Sequence, residues 1–190
     1  MKKNLVLKII IILFCLIIIL FIYSKISEKK EIVIVESNSL DQENENFNII
    51  KDVSYISKDT RGNQYTLNAS EGQIDLSNDK MIFLTKVKAT INLSTEIEIN
   101  ISSNFGKYNI DNYDTIFSKN VIITYMDHTI TGNYLDFSLD RNSMIISKNV
   151  VYTFFNKSLR ADVIEIDINT KDTKIFMYDE NEKISIELKN

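Results

Sequence analysis

The sequence has no proline and no tryptophan, and only one cysteine, one histidine and four glycines in 190 residues. Without proline, every backbone N–H stays available for ladder pairing, so nothing interrupts a long succession of strands. The single cysteine, Cys15, lies inside an apolar N-terminal run, which excludes an intramolecular disulfide. There is no glycine-rich phosphate loop, no nucleophile elbow and no cofactor-binding motif, and the chain does not read as an enzyme. His128 falls in an expected hairpin, Met126-Asp127-His128-Thr129, where it reads as a solvated turn residue rather than a base or metal ligand. Asp162, Glu165 and Asp167 cluster in sequence, but Glu165 and Asp167 share the outward face of one strand. A calcium site there is the weaker reading, and no metal site is assigned. The formal net charge of -4 is made of interspersed signs, which excludes the basic stripe of a nucleic-acid binder.

What is present begins with a membrane-length apolar run. Met1-Lys2-Lys3 precedes Leu5 to Tyr23, interrupted only by Lys8, which is near enough to the end to snorkel. At ~1.5 Å rise per residue the run matches the hydrocarbon thickness of a bilayer. No small-x-small cleavage site follows around Tyr23-Ser24-Lys25-Ile26, and Phe14 rather than a small residue precedes Cys15, so the run reads as a retained anchor. Lys2, Lys3 and Lys8 favour a cytoplasmic N-terminus, against a weaker pull from Lys25, Lys29 and Lys30. The predicted organisation is a start and transmembrane anchor over residues 1–24, a linker over 25–46 and one β domain over 47–190. Ser37 to Asn46 is polar and aperiodic, as a linker should be, while Glu31 to Glu36 could add a strand.

The domain repeats itself around a small residue: Ala69, Ser103, Gly132 and Ala161. Two positions earlier stand Leu67, Ile101, Ile130 and Leu159; five later stand Ile74, Tyr108, Phe137 and Ile166; seven later stand Leu76, Ile110, Leu139 and Ile168. Val87, Val121 and Val150 recur at one fixed distance further on. Each unit reads as strand, tight corner, strand, turn, strand, with a period of about 29 residues. The turns fall at Ser77–Lys80, Asp111–Asp114, Asp140–Ser143 and Asn169–Asp172, in residues that bond their own backbone. Only the stretch between Val87 and Ile101 is longer, where a hairpin can extend without disturbing the register.

Alternation is clearest in Leu135-Asp136-Phe137-Ser138-Leu139 and Ile164-Glu165-Ile166-Asp167-Ile168, each with one apolar and one polar face. Strands stacked at constant register predict an all-β, folded-over sheet or jelly roll with an inner wall of Ile, Leu, Phe and Tyr. Two readings of that wall stay open: a dry core, or a lining for an apolar cargo.

The order of features resembles the LptC family of the lipopolysaccharide export system. The resemblance is carried by Gly62-Asn63-Gln64-Tyr65-Thr66-Leu67-Asn68-Ala69, Lys119-Asn120-Val121-Ile122-Ile123, Ile130-Thr131-Gly132-Asn133-Tyr134-Leu135 and Leu159-Arg160-Ala161-Asp162-Val163-Ile164-Glu165-Ile166-Asp167. Soluble LptA-like relatives share the repeat, and the membrane span separates the two. The resemblance implies a twisted, slot-shaped jelly roll on a single inner-membrane helix, with the domain in the periplasm. It implies docking on the inner-membrane Lpt ABC transporter and transfer of lipopolysaccharide to an LptA-like bridge protein.

On that basis the expected lipid-facing wall comprises the repeat positions Leu67, Ile74, Leu76, Ile101, Tyr108, Ile110, Val121, Ile130, Phe137, Leu139, Val150, Leu159, Ile166 and Ile168, with Leu135 and Ile164 between them. Lys107, Lys119, Lys148 and Arg160 are expected near the rim, as headgroup contacts or as solvated surface charges. Ile184, Ile186 and Leu188 mark a terminal strand whose edge is predicted either to accept a partner strand or to close the domain.

Overall fold

The computed structural model describes residues 33–34, 47–59, 62–94, 97–179 and 181–188. The chain divides into two compact units, Met1–Glu31 and Ile32–Asn190, and every described residue belongs to the second. The candidate span Leu5–Tyr23 and the linker stretch Ser37–Asn46 lie outside the described residues. Among the described residues no helix is long and apolar enough to cross a membrane.

All regular structure described is strand: β1 (Val33–Ile34), β2 (Phe47–Lys58), β3 (Gln64–Asp75), β4 (Met81–Asn92), β5 (Glu98–Asn109), β6 (Thr115–Tyr125), β7 (His128–Ser138), β8 (Ser143–Phe154), β9 (Lys157–Asp167), β10 (Thr173–Phe176) and β11 (Ser185–Leu188). They form one antiparallel sheet in chain order from β1 to β10, with β11 pairing β9 beside β10. The two ends of the sheet do not pair, so it is open rather than a closed barrel. The run Glu31 to Glu36 does supply a strand, since Val33 and Ile34 pair with Ile56 and Tyr55. Asx-type bonds start the turns: Asp75 Oδ1 accepts from the Ser77 N–H at 2.8 Å, and Asp167 Oδ1 accepts from the Asn169 and Thr170 N–H groups at 2.8 Å.

The physical basis of the repeat is a crease. Each long even-numbered strand breaks its pleat at residues in the left-handed region: Asp52 (φ 54), Lys86 (φ 53), Lys119 and Asn120 (φ 61 and 54), and Lys148 and Asn149 (φ 67 and 60). At the last two positions the extra residue makes a β-bulge against both neighbouring strands, which bends the strand and increases its twist. A valine follows each break, at Val53, Val87, Val121 and Val150, and the small residues of the repeat lie across from them. Val53 and Val87 both pair with Ala69, Val87 also with Ser103, Val121 with Gly132 and Val150 with Ala161. Small residues opposite valines let the two halves of the sheet close without overfilling the fold line. Gly132 shows how little room remains: a Cβ there would lie 2.9 Å from Ile146 Cγ1.

No second layer covers the sheet among the described residues, yet Val121 and Leu135 are fully buried on its inner face. The sheet must therefore cover itself, with the strand halves on either side of the crease acting as facing walls. Tyr55 of β2 reaches Tyr108 of β5, two strands beyond its nearest neighbour, at a ring-centroid distance of 5.4 Å. Burying each large aliphatic side chain in this way contributes about 1.5–3 kcal/mol, which replaces the missing disulfide as the source of stability.

Candidate functional site

The space between the walls is not uniform along the slot. Towards β2–β6 the inner positions carry aromatic rings, and Tyr55, Tyr65, Tyr108, Phe117 and Phe137 converge on a residual void of only about 40 Å³. Tyr55 also stacks on Tyr113 at 6.3 Å. Burial, with the Tyr55 hydroxyl beside it, holds the Tyr108 phenol well above its usual pKa range, so it stays a neutral member of the core. This half of the slot is closed by its own side chains.

Towards β7–β10 the rings give way to aliphatic side chains and the slot opens. A cavity of about 840 Å³ lies between Ile99, Ile123 and Ile130 on one wall and Met144, Ile164, Ile166, Ile168 and Ile175 on the other. Isoleucine at these positions projects less far than the tyrosines and phenylalanines of the other half, and facing side chains fail to meet. The longer β4–β5 connection, the one irregular stretch of the repeat, hangs Leu93 and Ile97 over the same space. Its position is pinned by Asn63, whose Oδ1 accepts from the Ser94 N–H at 2.9 Å while its own N–H and Nδ2 donate to Asp59 at 2.9 and 2.8 Å.

Polar groups are the minority of the lining, and Asn63 and Ser94 are among them. His128, Tyr125, Tyr152, Asn169, Lys171 and Thr173 line the cavity with the aliphatic residues. His128 is not a turn residue: the turn is Met126-Asp127, and His128 opens β7, half-buried. Its ring stacks on Phe154 at 4.3 Å and on Tyr125 and Tyr152 at 5.7 Å, and Nδ1 shares a hydrogen bond with the Tyr152 hydroxyl at 2.5 Å. Partial burial raises the Tyr152 pKa, which keeps the phenol protonated and able to donate. Across the mouth, Lys171 Nζ donates to the Ile168 carbonyl at 2.5 Å.

The expected wall residues divide by place. Ile130, Ile164, Ile166 and Ile168 line the open cavity, whereas Leu67, Ile101, Tyr108, Phe137 and Leu139 line the closed half. Val121, Leu135 and Val150 are buried at and beside the crease, and Ile74 and Leu159 are half-buried. Leu76 and Ile110 are not on the wall. They lie one residue past the ends of β3 and β5, in turns, 58% and 42% exposed, whereas Leu139 and Ile168, one residue past β7 and β9, still line the slot. Ile99, Ile123, Tyr125, Met144 and Tyr152 line the cavity although the repeat positions omit them. Their alternation with outward residues in Glu98-Ile99-Asn100-Ile101 and Val121-Ile122-Ile123-Thr124-Tyr125 was the available signal.

The basic residues expected near the rim are elsewhere. Lys107 lies over the Phe83 ring, Lys119 over Phe105 and Lys148 over Tyr134, at 5.6, 5.2 and 5.4 Å, all on the outer surface of the sheet. Arg160 also faces outward, 4.0 Å from Glu187 of β11. The left-handed conformation at the bulges turns Lys119 and Lys148 away from the inner face. Of the carboxylates, Asp162 accepts from the Tyr178 N–H at 2.8 Å and Asp167 serves the β9–β10 turn. Among the described residues no group of three or more acidic, histidine or cysteine side chains is placed to hold a metal ion.

At the far edge, β11 pairs Lys157–Arg160 of β9 in line with β10. Ile186 sits opposite the inward Leu159, so Ile184, Ile186 and Leu188 continue the inner face as an exposed apolar lip. A family model described as LptC, lipopolysaccharide-assembly, LptC-related, matches residues 10–175. No protein of curated function matches the chain.

Proposed function

Because the chain belongs to the LptC-related family of lipopolysaccharide-assembly proteins, we propose that it is a carrier that takes the acyl chains of lipopolysaccharide into the slot between its walls. The observation that carries this reading is the cavity of about 840 Å³ with a mostly apolar lining in which isoleucine predominates. A space of that size and lining suits a ligand that is mostly hydrocarbon with a polar end held outside. Each methylene left in water costs about 0.8 kcal/mol, so ten on one chain amount to roughly 8 kcal/mol. An apolar cavity removes that cost for the part of the chain it holds and needs no chemical step.

In the same reading Leu5–Tyr23 anchors the chain in the inner membrane with its N-terminus in the cytoplasm, and the β domain lies in the periplasm. The lipid arrives from the inner-membrane Lpt ABC transporter and leaves to an LptA-like bridge. The free side of β11 and the lip formed by Ile184, Ile186 and Leu188 are the edge on which that bridge adds its strand. The lip supports this assignment because it prolongs the inner wall to the sheet's end.

The filled half of the slot favours a second reading, a scaffold of an envelope complex that holds no lipid. A photocrosslinking residue in place of Ile166, inside the cavity, and one in place of Glu165, on the outer face, separate the two in the full chain incubated with lipopolysaccharide. The carrier reading expects capture at Ile166 and none at Glu165. Equal capture at both, or none at either with the fold intact, leaves the scaffold.

A further inference from the structure

The outer side of the crease carries a feature that the slot does not use. Where the inner side collects valines and small residues, the outer side collects Lys86, Lys119 and Lys148, all exposed and all held at positive φ. A left-handed conformation is uncommon for a residue without the local side-chain bonding of Asn or Asp, and here lysine occupies it on three strands. The lysines stand on alternate strands, β4, β6 and β8, which at ordinary strand spacing sets them roughly 10 Å apart in a line. Between them the ridge continues through Asn104 and Asn133 on β5 and β7, also exposed. Between Lys86 and Lys148 the line carries no acidic residue; Asp52 and Glu71 lie beyond its β4 end and Asp162 lies beyond its β8 end.

Apolar side chains flank this line. Phe83, Phe105 and Ile122 are each about two-fifths exposed on the outer face. The ammonium groups of Lys107 and Lys119 rest over the rings of Phe83 and Phe105, and Lys148 rests over Tyr134. A ring with a lysine tip beside it presents an apolar body and a cationic end together, the combination found where proteins meet the headgroup region of a bilayer. A convex ridge offers a partner protein neither a pocket nor an open strand edge.

We propose that this ridge is a contact surface for the anionic face of a phospholipid bilayer, with Lys86, Lys119 and Lys148 against the phosphates and Phe83 and Phe105 at headgroup depth. The test reads where the ridge sits, not whether the chain attaches, because Leu5–Tyr23 could hold the chain on any vesicle. An environment-sensitive fluorophore is placed on Asn104→Cys in the full chain carrying Cys15→Ser, and the chain is added to vesicles of phosphatidylcholine alone or mixed with phosphatidylglycerol. The proposal expects a blue shift and quenching by spin-labelled lipid only with the anionic vesicles, reversed by high salt. Each lysine changed to glutamine should weaken the ridge's partition about five-fold, so that Lys86→Gln/Lys119→Gln/Lys148→Gln weakens it about 100-fold, while the corresponding arginine variant retains it. If the triple glutamine variant does not fold, the single substitutions and the salt series read the same effect. Equal quenching in neutral vesicles, no response to the glutamine substitutions, or a label that stays in water throughout would each overturn the proposal. So would a shift produced only by an added soluble protein, which would make the ridge a protein interface.

Discussion

Replacing Gly132 by alanine tests the crease where its geometry is tightest. The added Cβ would lie 2.9 and 3.1 Å from Ile146 Cγ1 and Cδ1 and 3.2 Å from the Ser147 carbonyl oxygen. Ile146 is 1% exposed and has no free space to swing into, and the carbonyl belongs to the neighbouring strand, so the walls themselves must part. Overpacking of this kind costs about 1–3 kcal/mol. The backbone gain of alanine over glycine in a strand offsets about 0.5–1 kcal/mol of it. The expected net loss is at most about 2.5 kcal/mol and centres on about 1 kcal/mol, which at a urea m-value near 2 kcal/mol/M lowers the unfolding midpoint by roughly 0.5 M. Circular dichroism of the β band follows the transition in the full chain in detergent. In an Ile146→Ala background the contacts with Cγ1 and Cδ1 are gone and only the approach to the Ser147 carbonyl remains, so Gly132→Ala should cost less there and the cycle should show a coupling of about 1 kcal/mol. A stabilising Gly132→Ala in the wild-type background, with no coupling to Ile146→Ala, would show that the sheet does not fold over at this line.

Two further outcomes follow from burial and from the turns. Ile101→Ala, at a 2% exposed inner position, should lose about 2–5 kcal/mol. Leu76→Ala, in the exposed β3–β4 turn, should stay within about 0.5 kcal/mol by the same unfolding assay. The Ser77 hydroxyl and N–H hold the Asp75 carboxyl below the usual carboxylate range, and the Thr170 and Asn169 N–H groups do the same for Asp167. A carboxyl whose folded pKa is depressed contributes stability that is present above its unfolded value, about 3.9, and is lost as pH falls through the folded one. Unfolding midpoints should therefore drop as pH falls below about 4, and Asp75→Asn/Asp167→Asn should flatten that drop.

Much of this architecture was legible because one side chain in each unit is constrained by geometry. A small residue must oppose each valine at the crease, so Ala69, Ser103, Gly132 and Ala161 marked the fold line in the sequence. Alternation on either side then fixed which residues face inward, including Ile130, Ile164 and Ile166. Three things were hidden. The last repeat position falls one residue beyond the strand in every unit, and the repeat does not tell the exposed Leu76 and Ile110 from Leu139 and Ile168, which line the slot. The left-handed bulge residues reverse the facing of what surrounds them, so Lys119 and Lys148 could not be placed by counting in twos. Where the slot opens was also illegible, because it depends on side chains meeting across the fold, such as Tyr55 with Tyr108, from strands that are not neighbours.

The absence of tryptophan allows the acyl-chain site to be read directly. In the full chain, Ile130→Trp places an indole on the cavity wall and Thr131→Trp places one on the outer face of the same strand. Lipopolysaccharide with brominated acyl chains should strongly quench the fluorescence of the Ile130→Trp protein and leave that of Thr131→Trp unchanged. Equal quenching at the two positions, or none at Ile130→Trp while the lipid is bound, would contradict a carrier that holds its cargo between the walls.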